Sequence, residues 1–248
     1  MRALLPTPAD LDPAVAYAPP DPGPSRPFVR ANMITSLDGA VSVNGRSGVL
    51  GGPPDRRIFQ ILRSWADVVL VGAGTAKAEA YGPARLEEDL RRRREERGRP
   101  PVPPIAVVTR SANLDWTAPL FTQAEARPIV LTSGRADDAA RRRGSEVADV
   151  LVAGDEAVDP VLAVNALYRS GFGSILVEGG PALNADVVGA GLLDELCLTV
   201  APCIVGGNGP RVLAGPELLR PLDVRVIHLL EEDGFLFFRL GVRVAGPG

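Results

Sequence analysis

Four short stretches of this sequence gather residue types that could hold an anionic ligand beside acidic groups. At 174–181 the apolar run Ser-Ile-Leu-Val ends in Glu178, Gly179, Gly180 and Pro181, and a helix-like pattern follows. Glycines at a strand-to-helix junction let bare backbone N–H groups approach a ligand, and a helix N-terminus favours an anion. The stretch is therefore a candidate phosphate cradle, with a simple tight turn as the alternative. A second apolar run ends in Gly72, Ala73, Gly74 and Thr75, another candidate phosphate- or amide-binding turn. It does not complete the dinucleotide fingerprint G-x-G-x-x-G, because Lys77 stands where the third glycine belongs. A third run delivers Thr109, Arg110 and Ser111, a guanidinium between two hydroxyls, which suits a phosphate monoester such as the 2′-phosphate of NADP. The fourth stretch is a strand-like segment followed by a polar, glycine-studded loop with Ser36, Asp38, Asn44 and Ser47, then a helix that opens at Pro54 and Asp55 and carries Arg63. The loop residues are substrate-side candidates and also ordinary turn formers and caps.

Other chemistries have few residues to draw on. His228 is the one histidine and lies in the strand-like run Val-Arg-Val-Ile-His-Leu-Leu, which leaves no His-rich metal site and no Ser/His/Asp triad beyond that residue. It is expected to be a satisfied strand histidine. Cys197 and Cys203 flank Pro202 in an apolar segment and read as reduced core thiols. Lys77 is the sole lysine, which removes most Schiff-base candidates. Chemistry must come from carboxylates, backbone or a bound cofactor.

These groups need elements to position them. Nine short runs rich in Val, Ile and Leu, starting at Phe28, are strand candidates, and helical patterns such as 54–66, 159–171 and 180–191 separate several of them. In 54–66, Ile58, Ile61, Leu62 and Trp65 recur at the helical spacing. Alternation of this kind predicts an α/β fold, three-layered, with a mostly parallel central sheet; the last strands follow one another without helices and predict an antiparallel C-terminal edge. Residues 1–27 hold Pro19, Pro20, Pro22, Pro24 and Pro27 and are expected to wrap as an extended arm, leaving 28–248 as one domain. The run 85–100 mixes acids with arginines and has no interleaved aromatics, so it reads as a solvated helical face or insertion. A net charge of −3 gives no basic field for nucleic acid, and the apolar runs are strand-sized. With no secretion signal in the first residues, the expectation is a cytoplasmic protein without nucleic-acid or membrane partners.

The order of the motifs adds a resemblance. Ser-Leu-Asp-Gly (36–39), Gly-Arg-Ser-Gly (45–48), 62–75, Val-Glu-Gly-Gly-Pro (177–181) and 191–207 together resemble the reductase domain of the bifunctional riboflavin-biosynthesis deaminase/reductase, which has a dihydrofolate-reductase-like fold. The deaminase half has no counterpart here. The resemblance implies NADPH held by Gly72, Gly74, Thr75 and Glu79 on one side and by Gly179, Gly180, Pro181, Ala182 and Leu183 on the other, with Ile34 and Val49 near the nicotinamide. It also implies Ser47, Arg63 and Glu178 on the substrate side. Asp55 stands where riboflavin-pathway members of the family it resembles usually have a small residue, and an acid there is similar to the carboxylate that pairs with an aminopyrimidine in dihydrofolate reductases. Asp55 and Glu178 are the candidate catalytic carboxylates. The implied activity is NADPH-dependent reduction of 5-amino-6-(5-phosphoribosylamino)uracil, with a dihydrofolate or pterin reductase and a noncatalytic NADP-binding sensor as alternatives. A homodimer is expected from the apolar content of 194–207 and the last strands.

Overall fold

The computed structural model describes residues 1–6, 9–20 and 25–242. Its strands are β1 (Arg2–Leu5), β2 (Ala9–Asp10), β3 (Phe28–Ser36), β4 (Val68–Gly72), β5 (Ile105–Val108), β6 (Ile129–Thr132), β7 (Asp149–Val152), β8 (Ser174–Val177), β9 (Glu195–Ala201), β10 (Val224–Glu232) and β11 (Phe235–Val242). The helices are α1 (Pro13–Ala16), α2 (Pro53–Trp65), α3 (Ala73–Ala78), α4 (Glu88–Glu95), α5 (Pro119–Thr122), α6 (Asp138–Val147), α7 (Pro160–Arg169) and α8 (Pro181–Gly189). All nine apolar runs of the sequence are strands. Among the described residues they form one 11-stranded sheet in the order β2-β1-β10-β11-β9-β3-β8-β4-β5-β6-β7. Neighbours from β9 to β7 are parallel, and β11, β10, β1 and β2 continue antiparallel.

Strand β4 shows how three layers follow from side-chain alternation. Val68 and Leu70 enter a core with Val164 and Leu167 of α7 and Val187 of α8, while Val69 and Val71 enter the opposite core with Ile58, Ile61 and Leu62 of α2 and Leu90 of α4. A strand covered on both faces needs apolar residues at both phases, which is why these runs are continuous and not alternating. The fold is thus the expected three-layered α/β arrangement. Because the parallel strands share a direction, the loops after β3, β4, β5 and β8 all leave the same edge of the sheet, where ligands of open α/β sheets bind.

The N-terminal segment departs from the expected extended arm. Its described residues include β1, which pairs with β10, and α1, whose first residue is Pro13, capped by the Asp12 carboxylate accepting from Ala14 N at 2.9 Å. Proline at the first helical position loses no hydrogen bond, so this proline starts a helix. Pro22 and Pro24 lie outside the described residues. A buried charge cluster docks the segment. Glu195 on β9 accepts from Arg30 of β3 and Arg239 of β11, and their spare Nη1 atoms donate to Tyr17 O at 2.8 Å and Ala16 O at 2.6 Å. The outermost described strands on the antiparallel side are consequently N-terminal.

Three smaller expectations also change. His228 is a buried strand residue edge-on to Tyr17, with ring centroids 4.8 Å apart, but it is not satisfied: Nε2 has no hydrogen-bond partner among the described residues. Burial and the nearby Arg239 pull its pKa down to about 4. Cys197 is a core thiol, pushed up to about 11 by burial, whereas Cys203 lies just past β9 and is only half-buried. The charged run does contain a helix, α4, yet Leu90 and Arg94 on it are buried, so it is more than a solvated face. No described helix is long and apolar enough to cross a membrane.

Candidate active site

A cleft of about 920 Å³ opens at the carboxyl edge of the parallel strands. Its walls come from the end of β3 and the following loop (Asn32, Ile34, Asn44, Ser47), the first turns of α2 (Asp55, Arg56, Phe59), α3 and the residues after it (Thr75, Glu79, Tyr81), and the turn after β8 (Glu178, Gly180, Pro181). Val205, Gly206, Gly209 and Pro210 complete it. Asp38 tethers that last loop: its carboxylate accepts from Val205 N at 3.1 Å, Gly206 N at 2.7 Å and Ser36 Oγ at 2.5 Å, hydrogen bonds that lower its pKa to about 2.

The two glycine turns meet because β4 and β8 are adjacent. Gly72 N donates to Gly179 O at 2.7 Å. Gly179 has a φ of +82°, a left-handed conformation that favours glycine, and a Cβ there would stand 3.2 Å from Met33 Sδ. A Cβ at Gly180 would run into Thr75 Oγ1, while one at Gly74 would meet nothing within 4 Å. Both α3 and α8 begin at a glycine with no side-chain cap, so their first N–H groups have no side chain competing for them. A cradle too tight for a Cβ at Gly180, with uncapped helix starts, fits the pyrophosphate of a dinucleotide.

The acids of the cleft are held in three ways. Arg63 Nε and Nη2 donate to Glu178 Oε1 and Oε2 at 2.7 and 2.8 Å, and Tyr81 OH donates to Oε2 at 2.7 Å. The Arg63 guanidinium also lies 4.1 Å from the Phe59 ring centroid. Burial works against its charge, but Glu178 wins and its pKa rises. Desolvation, aided by Glu178, raises that of Tyr81 well above the ordinary value. Glu79 Oε1 accepts from Ser47 N at 2.5 Å, so a residue expected on the cofactor side and one expected on the substrate side bind each other. Asp55 is half-buried in the first turn of α2; burial raises its pKa, opposed by a hydrogen bond with Thr199 and by Arg56.

Ile34 and Pro181 line the cleft, while Ala182 is exposed and Leu183 is a core residue on α8. Val49 is 64% exposed and outside the cleft lining. Thr109, Arg110 and Ser111 sit at the end of β5, next to β4 on the same sheet edge but outside the cleft lining. Arg110 O accepts from Ser133 Oγ at 2.9 Å, and its exposed guanidinium makes no hydrogen bond among the described residues. Sequence reasoning missed Asn32, Phe59 and Tyr81, and it missed Arg56, the one basic residue lining the cleft. Arg56, Arg63 and Arg85 line an adjoining recess with no acid in its wall. The helical spacing of Arg56, Phe59 and Arg63 could have revealed this face; nothing local marks Tyr81 or Arg85.

Comparison with known proteins places the chain in a family. The RibD C-terminal domain model matches residues 27–233. Over 209 residues the chain is 31% identical to the 2,5-diamino-6-ribosylamino-4(3H)-pyrimidinone 5′-phosphate reductase of Archaeoglobus fulgidus, covering 84% of this chain and 95% of that one. It is 32% identical over 196 residues to the protein of the same name from Methanothermobacter thermautotrophicus, at 77% and 85% coverage. The crystal structure of a pyrimidine reductase-like protein from Corynebacterium diphtheriae matches with a TM-score of 0.79 at 29% identity, covering 88% of this chain and 93% of that one. The chain belongs to the RibD C-terminal domain family of pyrimidine reductases.

Proposed function

We propose that this protein is an NADPH-dependent reductase of 2,5-diamino-6-ribosylamino-4(3H)-pyrimidinone 5′-phosphate, the compound named for its relatives. The observation that carries the reading is the pairing of two walls: abutting glycine turns on one side, and on the other a half-buried Asp55 beside an acid-free recess of arginines. When bound, NADPH would supply a hydride to C1′ of the ring-opened sugar imine, and water would supply the proton taken up by the nitrogen. The chain's own groups orient the partners. Gly72, Thr75, Gly180 and Pro181 cradle the pyrophosphate, and Arg110 with Thr109 and Ser111 takes the 2′-phosphate. Arg56 and Arg85 take the substrate phosphate, while Glu178, held by Arg63 and Tyr81, faces the sugar.

Asp55 supports the 2-amino compound over its uracil-type counterpart. A carboxylate accepts two hydrogen bonds from a 2-amino group and the neighbouring ring N–H, but it faces the lone pairs of a 2-oxo group. The expected substrate therefore shifts from the uracil to the diaminopyrimidinone. The exposed apolar side chains of Ile204, Leu219, Leu222, Val224 and Val226 support a homodimer, to be checked by light scattering.

The test mixes purified protein and NADPH with the diaminopyrimidinone phosphate, the uracil phosphate or dihydrofolate and follows nicotinamide absorbance. Fastest oxidation with the first is expected. Oxidation with dihydrofolate alone overturns the substrate, and NADPH binding without turnover on any of the three makes the protein a sensor.

A further inference from the structure

The charged run between β4 and β5 contributes a residue to the active-site helix. Arg94, in the last turn of α4, is 1% exposed and has no carboxylate partner among the described residues. Its Nη1 instead donates to the carbonyls of Arg63 at 3.3 Å, Ser64 at 3.2 Å and Ala66 at 2.5 Å, and its Nε to Pro100 O at 2.7 Å. The first three are acceptors at the C-terminal end of α2, where the intrahelical ladder runs out of donors. Arg97 adds a second grip, donating to Ser64 O at 3.1 Å while stacking 3.8 Å from the Trp65 ring centroid.

Burying a guanidinium with only carbonyl partners is unfavourable, and here burial and the charge of Arg97 lower its pKa to about 10. The negative end of the α2 dipole offsets part of that cost. A surface cap such as glycine would end the helix without it, so the arrangement calls for a reason to fix this turn. The turn is the one that carries Arg63, whose side chain makes two hydrogen bonds to Glu178.

We propose that Arg94 is a positioning residue for the substrate side of the cleft: by binding the last turn of α2 it holds Arg63 where both guanidinium contacts to Glu178 form. The functional half of this inference rests on the substrate-facing role of Glu178 proposed above. Its structural half stands on the hydrogen bonds alone.

Five variants test it. Arg94→Met should raise KM for the diaminopyrimidinone phosphate about tenfold, because small displacements of a positioning group are costly, and leave NADPH affinity unchanged. Arg94→Lys should recover most of the loss, since an ammonium can donate to several carbonyls. Leu90→Ala, which opens a cavity on the same helix, should lower the melting temperature without moving KM. Arg94→Met and Arg63→Lys combined should be less than additive. Amide hydrogen exchange in 63–66 should speed up in Arg94→Met. A KM rise as large in Leu90→Ala, unchanged exchange, or full additivity with an Arg63→Lys that itself raises KM overturns the proposal. If Arg63→Lys leaves KM untouched while exchange still responds to Arg94→Met, positioning holds and the substrate role of the Arg63–Glu178 pair falls. Should Arg94→Met fail to fold, Arg94→Gln carries the same expectation, scaled down by the donor it keeps.

Discussion

Asp55 is a carboxylate whose environment disfavours its charge, and Asp55→Asn separates what that costs the fold from what it supplies to the reaction. The variant keeps the shape of the side chain and the hydrogen bond with Thr199 but carries no charge. An acid with a raised folded-state pKa contributes stability that is fully present below its unfolded value of 3.8 and is lost as pH rises through the raised value. At pH 7 the ionised carboxylate therefore opposes folding, and Asn removes the penalty. Against this stands the acid's interaction with the N-terminus of α2, roughly 0.3–1 kcal/mol. The expected melting temperature at pH 7 is equal to the parent's or higher, with the difference shrinking toward pH 4. Activity should move the other way. Two charge-assisted hydrogen bonds to the 2-amino edge contribute roughly 1.5–3 kcal/mol each. Taking about 3 kcal/mol for the pair gives about a hundredfold loss in kcat/KM for the diaminopyrimidinone phosphate. The uracil counterpart should lose little, because an Asn amide can donate to a 2-oxo group. In the parent, kcat/KM should fall as pH drops through the raised Asp55 value, and the variant should lack that limb. A melting temperature lower by about 2–4 °C with unchanged kinetics would refute the reasoning and leave Asp55 as a helix-terminal acid.

Two further outcomes follow from groups outside the cleft. Arg110→Ala should weaken NADPH about tenfold and leave NADH unchanged, measured by fluorescence titration, since a hydrogen bond to a charged group contributes roughly 1.5–3 kcal/mol and Arg110 is exposed; equal losses would put the 2′-phosphate elsewhere. His228→Phe should raise the melting temperature, because the buried Nε2 has no hydrogen-bond partner among the described residues, and flatten its pH dependence, because a histidine lowered from 6.5 to about 4 by burial contributes stability that is present above 6.5 and lost as pH falls through 4.

How much of this was legible in the sequence follows from the range of each interaction. The strands were readable because a sheet covered on both faces needs Val, Ile and Leu at successive positions, as in 68–71 and 174–177. The two glycine turns were readable because glycines where an apolar run ends are a local pattern, although the atom that excludes a Cβ at 180 is Thr75 Oγ1, far along the chain. What stayed hidden depends on partners far along the chain. Arg63 finds Glu178 115 residues away, and Arg30 finds Glu195 at a separation of 165. Composition marked the run 85–100 as solvated, and only the packing of α4 on α2 shows that Arg94 faces inward. Proline content marked the N-terminal segment as extended, whereas Pro13 occupies the helical position that tolerates it.

The same distinction ranks the three acids that line the cleft. By residue type Asp55, Glu79 and Glu178 are interchangeable candidates. In the fold, Glu178 is engaged by Arg63 and Tyr81, and Glu79 is engaged by the backbone of Ser47. Asp55 has Thr199, a partly buried position and no ion pair among the described residues, so its remaining acceptor capacity is turned to the cleft. A group that the fold leaves short of partners binds a ligand at little expense to existing contacts, whereas a satisfied one must first break its own. Glu178 is therefore suited to fixed positioning and Asp55 to exchanging its environment for a substrate edge. Discrimination between 2-amino and 2-oxo pyrimidines should accordingly depend on Asp55, a residue that costs the fold stability when charged.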